Sequence, residues 1–183
     1  TIGLPEDAEL RHSIVRDKLL EIMTASLKFA FGSSKTSARR SERETELKEL
    51  AQACFSASLA IDDTDYLFDD VYEWYEDGDF LGIFLETLEP YILEEDITSV
   101  PPIVVKSLVS HFVSEGLESR LEEILCRMET ATFDIDQITA LCKENSLYDA
   151  LIYIWTQALG DYIAPLVYLL KLLVPLVQDG GQL

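Results

Sequence analysis

The sequence predicts an all-α chain, an α-solenoid of stacked antiparallel helix pairs. Three observations carry that expectation. Apolar residues recur at steps of three and four along the whole chain, and no stretch of four or more residues alternates strictly enough for a strand. Pro, Gly and small polar residues punctuate the pattern where helices should start and stop. One spacing also repeats: Leu81, Leu85 and Leu88 match Leu117, Leu121 and Ile124, which match Leu147, Leu151 and Ile154, at offsets of 36 and 30 residues. Val105 and Leu108 precede the second trio as Ile135 and Ile138 precede the third. That period belongs to helix pairs that bury their apolar faces only by stacking on the next pair.

The elements follow in order. Leu10, Ile14, Val15, Leu19, Ile22, Met23 and Leu27 mark a first helix that Pro5 opens and Gly32 stops, and all seven fall on one apolar stripe. Residues 32–41 are small and polar and predict a mobile loop. A second helix spans Glu42 to Ile61, and a third begins near Thr64 and ends before Gly78. Asp79 is the expected cap of a fourth, inside which Pro90 should kink or restart the helix. Ser99 is the expected cap of a fifth, opened by Pro101 and Pro102, and Gly116 separates it from a sixth over Leu117 to Met128. Asp134 with Gln137, and Ser146 with Asp149, read as capping boxes for two more. Gly160 ends the second of these, and Asp161 leads into a last helix over Tyr162 to Val177.

That last helix is apolar on nearly every side, yet it is too short to span a bilayer and contains Lys171, Pro165 and Pro175. It reads as a helix that covers a neighbour, not as a membrane insertion. The chain lacks a signal-peptide pattern and an initiator Met, and reads as a single solenoid segment, residues 1–183, excised from a longer protein. The formal net charge of −20 argues against nucleic acid and anionic lipid, both of which call for clustered Lys and Arg. Cys54, Cys126 and Cys142 have no CxxC spacing and read as small buried thiols of a reducing compartment.

Candidate chemical sites fail on inspection. Residues 32–36 resemble the end of a phosphate loop, but Ser34 precedes Lys35 and Phe29 stands where the first Gly belongs. Calcium windows that begin at Asp63 and Asp77 lack either the required Gly or the terminal Glu. His12 and His111 are the only histidines, and neither has the spacing of a metal or catalytic pair. The Glu122–Glu123 and Asp134–Asp136 pairs fit solvated faces and helix caps better than acid–base catalysis. The expectation is a protein with no enzymatic activity, no cofactor and no metal.

One stretch suits a binding role. No Lys or Arg occurs between Glu49 and Val105, and 14 acidic residues lie from Asp62 to Asp96. Within it stands an aromatic cluster of Tyr66, Phe68, Tyr72, Trp74 and Tyr75, mostly core by expectation. Asp69, Asp70, Glu73, Trp74, Glu76 and Asp77 are the candidate protein interface, where acids steer a basic partner and the aromatic edge supplies apolar contact. Solubility is the plainer reading of the same charge.

Between Phe112 and Leu166, the residues Phe133, Asp134, Gln137, Leu141, Cys142, Leu147, Tyr148, Ala150, Leu151, Ile152 and Tyr153 stand in a pattern that resembles the central region of the vacuolar protein sorting protein eight family, the subunits specific to the CORVET endosomal tethering complex. The clathrin heavy chain and other tethering subunits have related helical repeats with a similar LYxAL-like pattern. The resemblance implies a cytoplasmic scaffold segment, peripheral on endosomal membrane within a complex. It implies other tethering subunits as partners, and a Rab GTPase contact through a propeller outside this chain. A self-contained helical adaptor for a small GTPase or a coat protein is the alternative.

Overall fold

The computed structural model describes residues 5–32 and 39–180, with no strand among them. The chain divides into two compact units, Thr1–Leu88 and Glu89–Leu183, with the division inside one helix. Helix α1 is Pro5–Gly32 and α2 is Arg40–Ala60. Of the expected loop over 32–41, Gly32 belongs to α1 and Arg40 and Ser41 belong to α2, while residues 33–38 lie outside the described residues.

In the first unit α2 packs on α1 and on the segment that follows it, comprising α3 (Thr64–Tyr66), a π-helical turn (Leu67–Val71) and α4 (Tyr72–Asp77). The core is an aromatic nest around Phe84, whose ring centroid lies 5.1 Å from Phe55, 5.5 Å from Tyr72, 6.1 Å from Tyr75 and 6.3 Å from Phe68. Tyr75 is fully buried and donates its hydroxyl to the Leu47 carbonyl, which satisfies the one polar atom the ring carries inside. Gly78 is needed for room rather than for backbone freedom: its φ is −79°, and a Cβ there would lie 2.5 Å from the Phe31 ring. Of the expected α1 stripe, Met23 and Leu27 are core, whereas Leu10, Ile14, Val15 and Ile22 are more than half exposed.

Helix α5 (Leu81–Leu93) runs through Pro90 without a break. Pro90 sits on the exposed side and the helix continues to Leu93, so the expected restart does not occur. The second unit is an α-solenoid of antiparallel helix pairs. Helix α6 (Pro102–Ser114) packs on α7 (Glu118–Leu125), and α8 (Ile135–Glu144) packs on α9 (Tyr148–Ala158). The pairs then stack first helix on first and second on second, and α10 (Ile163–Gly180) adds to α9. Five of the six repeated positions in this unit are core, since Leu121, Ile124, Leu147, Leu151 and Ile154 are all 1% exposed or less, while Leu117 is half-buried. Polar staples tie the pairs together. Glu122 reaches the Ala150 N–H in the first turn of α9 at 3.0 Å, Tyr153 donates to the Met128 carbonyl at 2.8 Å, and buried Glu89 grips the Arg120 guanidinium with both oxygens.

Three expected caps are corrected. Asp134 does cap α8, accepting from the Gln137 N–H at 3.1 Å. Asp79 and Ser146 instead close the helices before them. Each has a left-handed φ, 62° and 58°, as do Gly116 at 70° and Asp62 at 54°. All four carry the same double closure, in which the residue after the left-handed one bonds back five carbonyls, as Leu117 does to Phe112 and Leu147 to Cys142. The next helix then starts on an apolar residue, Leu117 or Leu147, with no side-chain cap. Ser99 fails for a simpler reason: Pro101 is the cap residue of α6, and Pro102 takes the first helical position, where a missing N–H costs nothing.

Candidate protein-interaction face

The candidate face is built on the α3–π–α4 segment. Asp63 caps its start, accepting from the Tyr66 N–H at 3.0 Å and pairing with Arg16 at 3.1 Å. The Tyr66 bond is the main reason its carboxyl stays below the usual carboxylate range; desolvation opposes this and Arg16 adds to it. The Tyr66 hydroxyl meets Thr24 of α1 at 2.7 Å.

Residues Leu67, Val71 and Tyr75 are buried at steps of four, and Phe68 and Tyr72 repeat the step beside them. A regular helix has 3.6 residues per turn, so a strict step of four drifts off one face. The chain resolves this by widening one turn: the Tyr72 N–H bonds the Leu67 carbonyl, five residues back, and the turn is π-helical. All five apolar side chains are then buried, and Phe68, Tyr72 and Tyr75 meet the Phe84 ring. This turn was missed in the reading of the sequence, and the step of four was its signal.

Opposite that stripe the structure brings the predicted residues together. Asp69, Asp70, Glu73, Glu76 and Asp77 are exposed, and Trp74 is half-buried, its ring stacked on Phe31 at 6.1 Å. Asp70, Glu73, Trp74 and Asp77 line a shallow recess of about 190 Å³. None of the five acids pairs with a basic side chain among the described residues. Like charges at helical spacing repel by roughly 0.2–0.5 kcal/mol per pair, so the face carries a small stability cost. The arrangement is an electronegative ridge with one apolar edge, fit to meet a cationic surface.

The remaining candidates fall elsewhere. His12 is exposed, and His111 is half-buried against Phe112. Glu122 and Asp134 serve as caps, while Glu123 and Asp136 face solvent. Among the described residues no group of three His, Cys, Asp or Glu side chains could hold a metal ion. Burial pushes the thiols up, Cys54 and Cys126 to about 11 and Cys142 to about 12, so all three stay protonated at neutral pH, the reverse of a nucleophilic cysteine. Among the described residues no helix is long and apolar enough to cross a membrane. The last helix leaves apolar side chains open in this chain by itself, as expected: Ile163, Leu166 and Leu170 of α10 are 71%, 60% and 51% exposed.

Stacked helix pairs with staples between repeats place the chain in the class of helical-repeat proteins, whose surfaces bind other proteins. The family model described as Vps8 central TPR matches residues 83–182, more than half of the chain, and the chain belongs to that family. It is 30% identical over 183 residues to the vacuolar protein sorting-associated protein 8 homolog of Homo sapiens, covering all of this chain and 13% of that protein. The Mus musculus homolog is 28% identical over the same span, and vacuolar protein sorting-associated protein 8 of Saccharomyces cerevisiae is 27% identical over 89 residues, 49% of this chain and 7% of that protein. The chain thus spans about an eighth of the length of its first relatives. No solved structure matches it.

Proposed function

We propose that this chain is a non-catalytic scaffold segment of an endosomal vesicle-tethering complex subunit of the CORVET type, acting through protein–protein contacts in endosome fusion and in transport to the vacuole or lysosome. The observation that carries the reading is membership of a vacuolar-sorting family by a chain whose described residues form stacked helix pairs. In this reading both compact units belong to one continuous solenoid segment, held in the cytoplasm and recruited to endosomal membrane with its complex. Other subunits of the complex are the direct partners, and a Rab GTPase contact belongs to the longer protein. The interface within this chain is the acidic ridge of Asp69, Asp70, Glu73, Glu76 and Asp77 with the edge of Trp74, and its partner presents Lys and Arg.

Changing Asp69, Asp70, Glu73 and Glu76 together to Lys tests the interface. All four side chains are exposed, so helicity should be unchanged by circular dichroism. Association with the other subunits should slow by about tenfold or more, and parental association should weaken as salt rises. Parental association rates over a range of salt would sink the interface. Capture of a Rab by the isolated chain in the GTP state alone would favour the adaptor reading over the scaffold.

A further inference from the structure

Lys143 of the second unit is held by aromatic rings and, among the described residues, by no carboxylate. It stands in the last turn of α8. Its Nζ lies 5.3 Å from the centre of the Trp155 ring on α9 and 5.2 Å from that of the Tyr168 ring on α10. The two rings meet edge to face at 5.7 Å and form a corner, with Trp155 buried and Tyr168 half-buried. An ammonium set over two ring faces is attracted by both quadrupoles. The contact matters because α10 is lightly anchored. Helix α10 packs on α9, buries Pro165 and half-buries Tyr168, and leaves a stripe with Ile163, Leu166 and Leu170 open. Among the described residues no ion pair reaches α10, and Lys143 is the one charged side chain of another helix with a polar or ring contact to it.

The choice of cation is informative. Two other contacts of this kind use arginine, Arg43 over Phe80 at 5.4 Å and Arg120 over Phe112 at 5.6 Å, and Arg120 is also gripped by Glu89. Arginine stacks on rings more readily and stays charged, whereas a single acyl transfer removes the charge of a lysine. Lys143 is exposed, so an acyl donor can reach it. We infer that Lys143 is a lysine-acylation site, and that acylation there releases α10 from α9. The donor class is an acyl-coenzyme A thioester. The ammonium gives one proton to solvent and the amine attacks the thioester carbonyl. The C–N bond forms, the C–S bond breaks, and the coenzyme leaves as its thiol with a second proton from the nitrogen. The product is a neutral amide. It carries no charge for the rings to hold, and two ring faces offer its N–H and C=O no good hydrogen bond, so it favours water over the corner. Methylation of the same nitrogen keeps the charge and leaves the corner filled. The inference concerns the last helix alone and does not rest on the tethering reading.

Hydrogen exchange in the full-length protein tests the release. Acetyl-lysine in place of Lys143, and separately Lys143→Gln, should each speed exchange of the α10 amides between Ile163 and Val174 by about fivefold, while α6 exchanges at the parental rate. Lys143→Arg and trimethyl-lysine at the same position should leave both helices at the parental rate. Parental exchange in the acetyl-lysine protein overturns the release. Exchange in Lys143→Arg as fast as in Lys143→Gln also overturns it, because the side chain then acts by shape and not by charge. For the site itself, the full-length protein is incubated with acetyl-coenzyme A and digested for mass spectrometry. Lys143 should carry an acetyl group, as should the exposed Lys106. Acetylation of Lys106 with Lys143 left unmodified overturns the site.

Discussion

Truncation of Leu151 to Ala measures whether the repeat is the unit that holds the second compact unit together. Leu151 lies at the centre of the third repeated trio and is 1% exposed; Leu121, its counterpart one repeat earlier, is 0% exposed. Replacing a fully buried Leu by Ala removes the transfer free energy of three carbons and leaves a cavity, at a cost of about 2–5 kcal/mol. Leu170 has the same chemistry but is 51% exposed, so only about half of the roughly 1.5–3 kcal/mol of a buried Leu is at stake and little cavity forms. The expected order in urea unfolding, followed by far-UV circular dichroism with unchanged slopes, is Leu121→Ala and Leu151→Ala both at about 2–5 kcal/mol and Leu170→Ala at about 1 kcal/mol or less. Leu151→Asp should be worse than Leu151→Ala, because it buries an unpaired charge. If Leu151→Ala costs less than Leu170→Ala in the 183-residue chain, the assignment of core and open stripe is wrong.

Three further outcomes are expected. Gly116→Ala should destabilise by about 1–2 kcal/mol through its φ of 70° alone, since nothing lies within 4 Å of the added Cβ, and Ser146→Gly at the equivalent turn should be neutral or stabilising; thermal melts that reverse this order oppose the shared-turn account. Ser58 is fully buried and its hydroxyl has no hydrogen-bond partner among the described residues, so Ser58→Ala should raise stability by about 1 kcal/mol in urea titrations, and a loss of similar size would reveal a partner for it. The thiols of Cys54 and Cys142 are raised on folding from 9.0 to about 11 and 12, so their contribution to stability is intact below pH 9 and declines as pH rises toward 11–12; urea midpoints that stay level through that window in the parent, or that fall equally when both are changed to Ala, refute it.

The helical content, the pairing and the core of the second unit were legible because one amphipathic period recurs in Leu121, Leu151 and their neighbours, and burial follows that period. The caps were less legible. A polar residue between two helices can close the first or open the second, and Asp79 and Ser146 close the first because an apolar residue must follow at once to reach the core. A Gly would have announced that geometry, as Gly116 did. Exposure of the α1 stripe at Leu10 and Ile14 was not legible, since periodicity reports that a face wants cover and not whether the cover is present. The acidic residues of the candidate face were found by charge alone. Their placement on one side depends on the π-helical turn, and the step of four at Leu67, Val71 and Tyr75 was a signal available beforehand.

That turn also has a bearing on how the chain can change in length. In a regular helix, deleting one residue rotates everything downstream by about 100° and pulls one face off its partner. Here the widened turn already holds one residue more than a regular helix needs. Loss of either Asp69 or Asp70 turns the buried steps from four and four into three and four, the ordinary spacing of an α-helix, and leaves Tyr72, Tyr75 and Trp74 where they stand. The surplus residue is an exposed carboxylate, so the segment can gain or shed a unit of negative charge by insertion or deletion, without substitution and without disturbing the rings behind it.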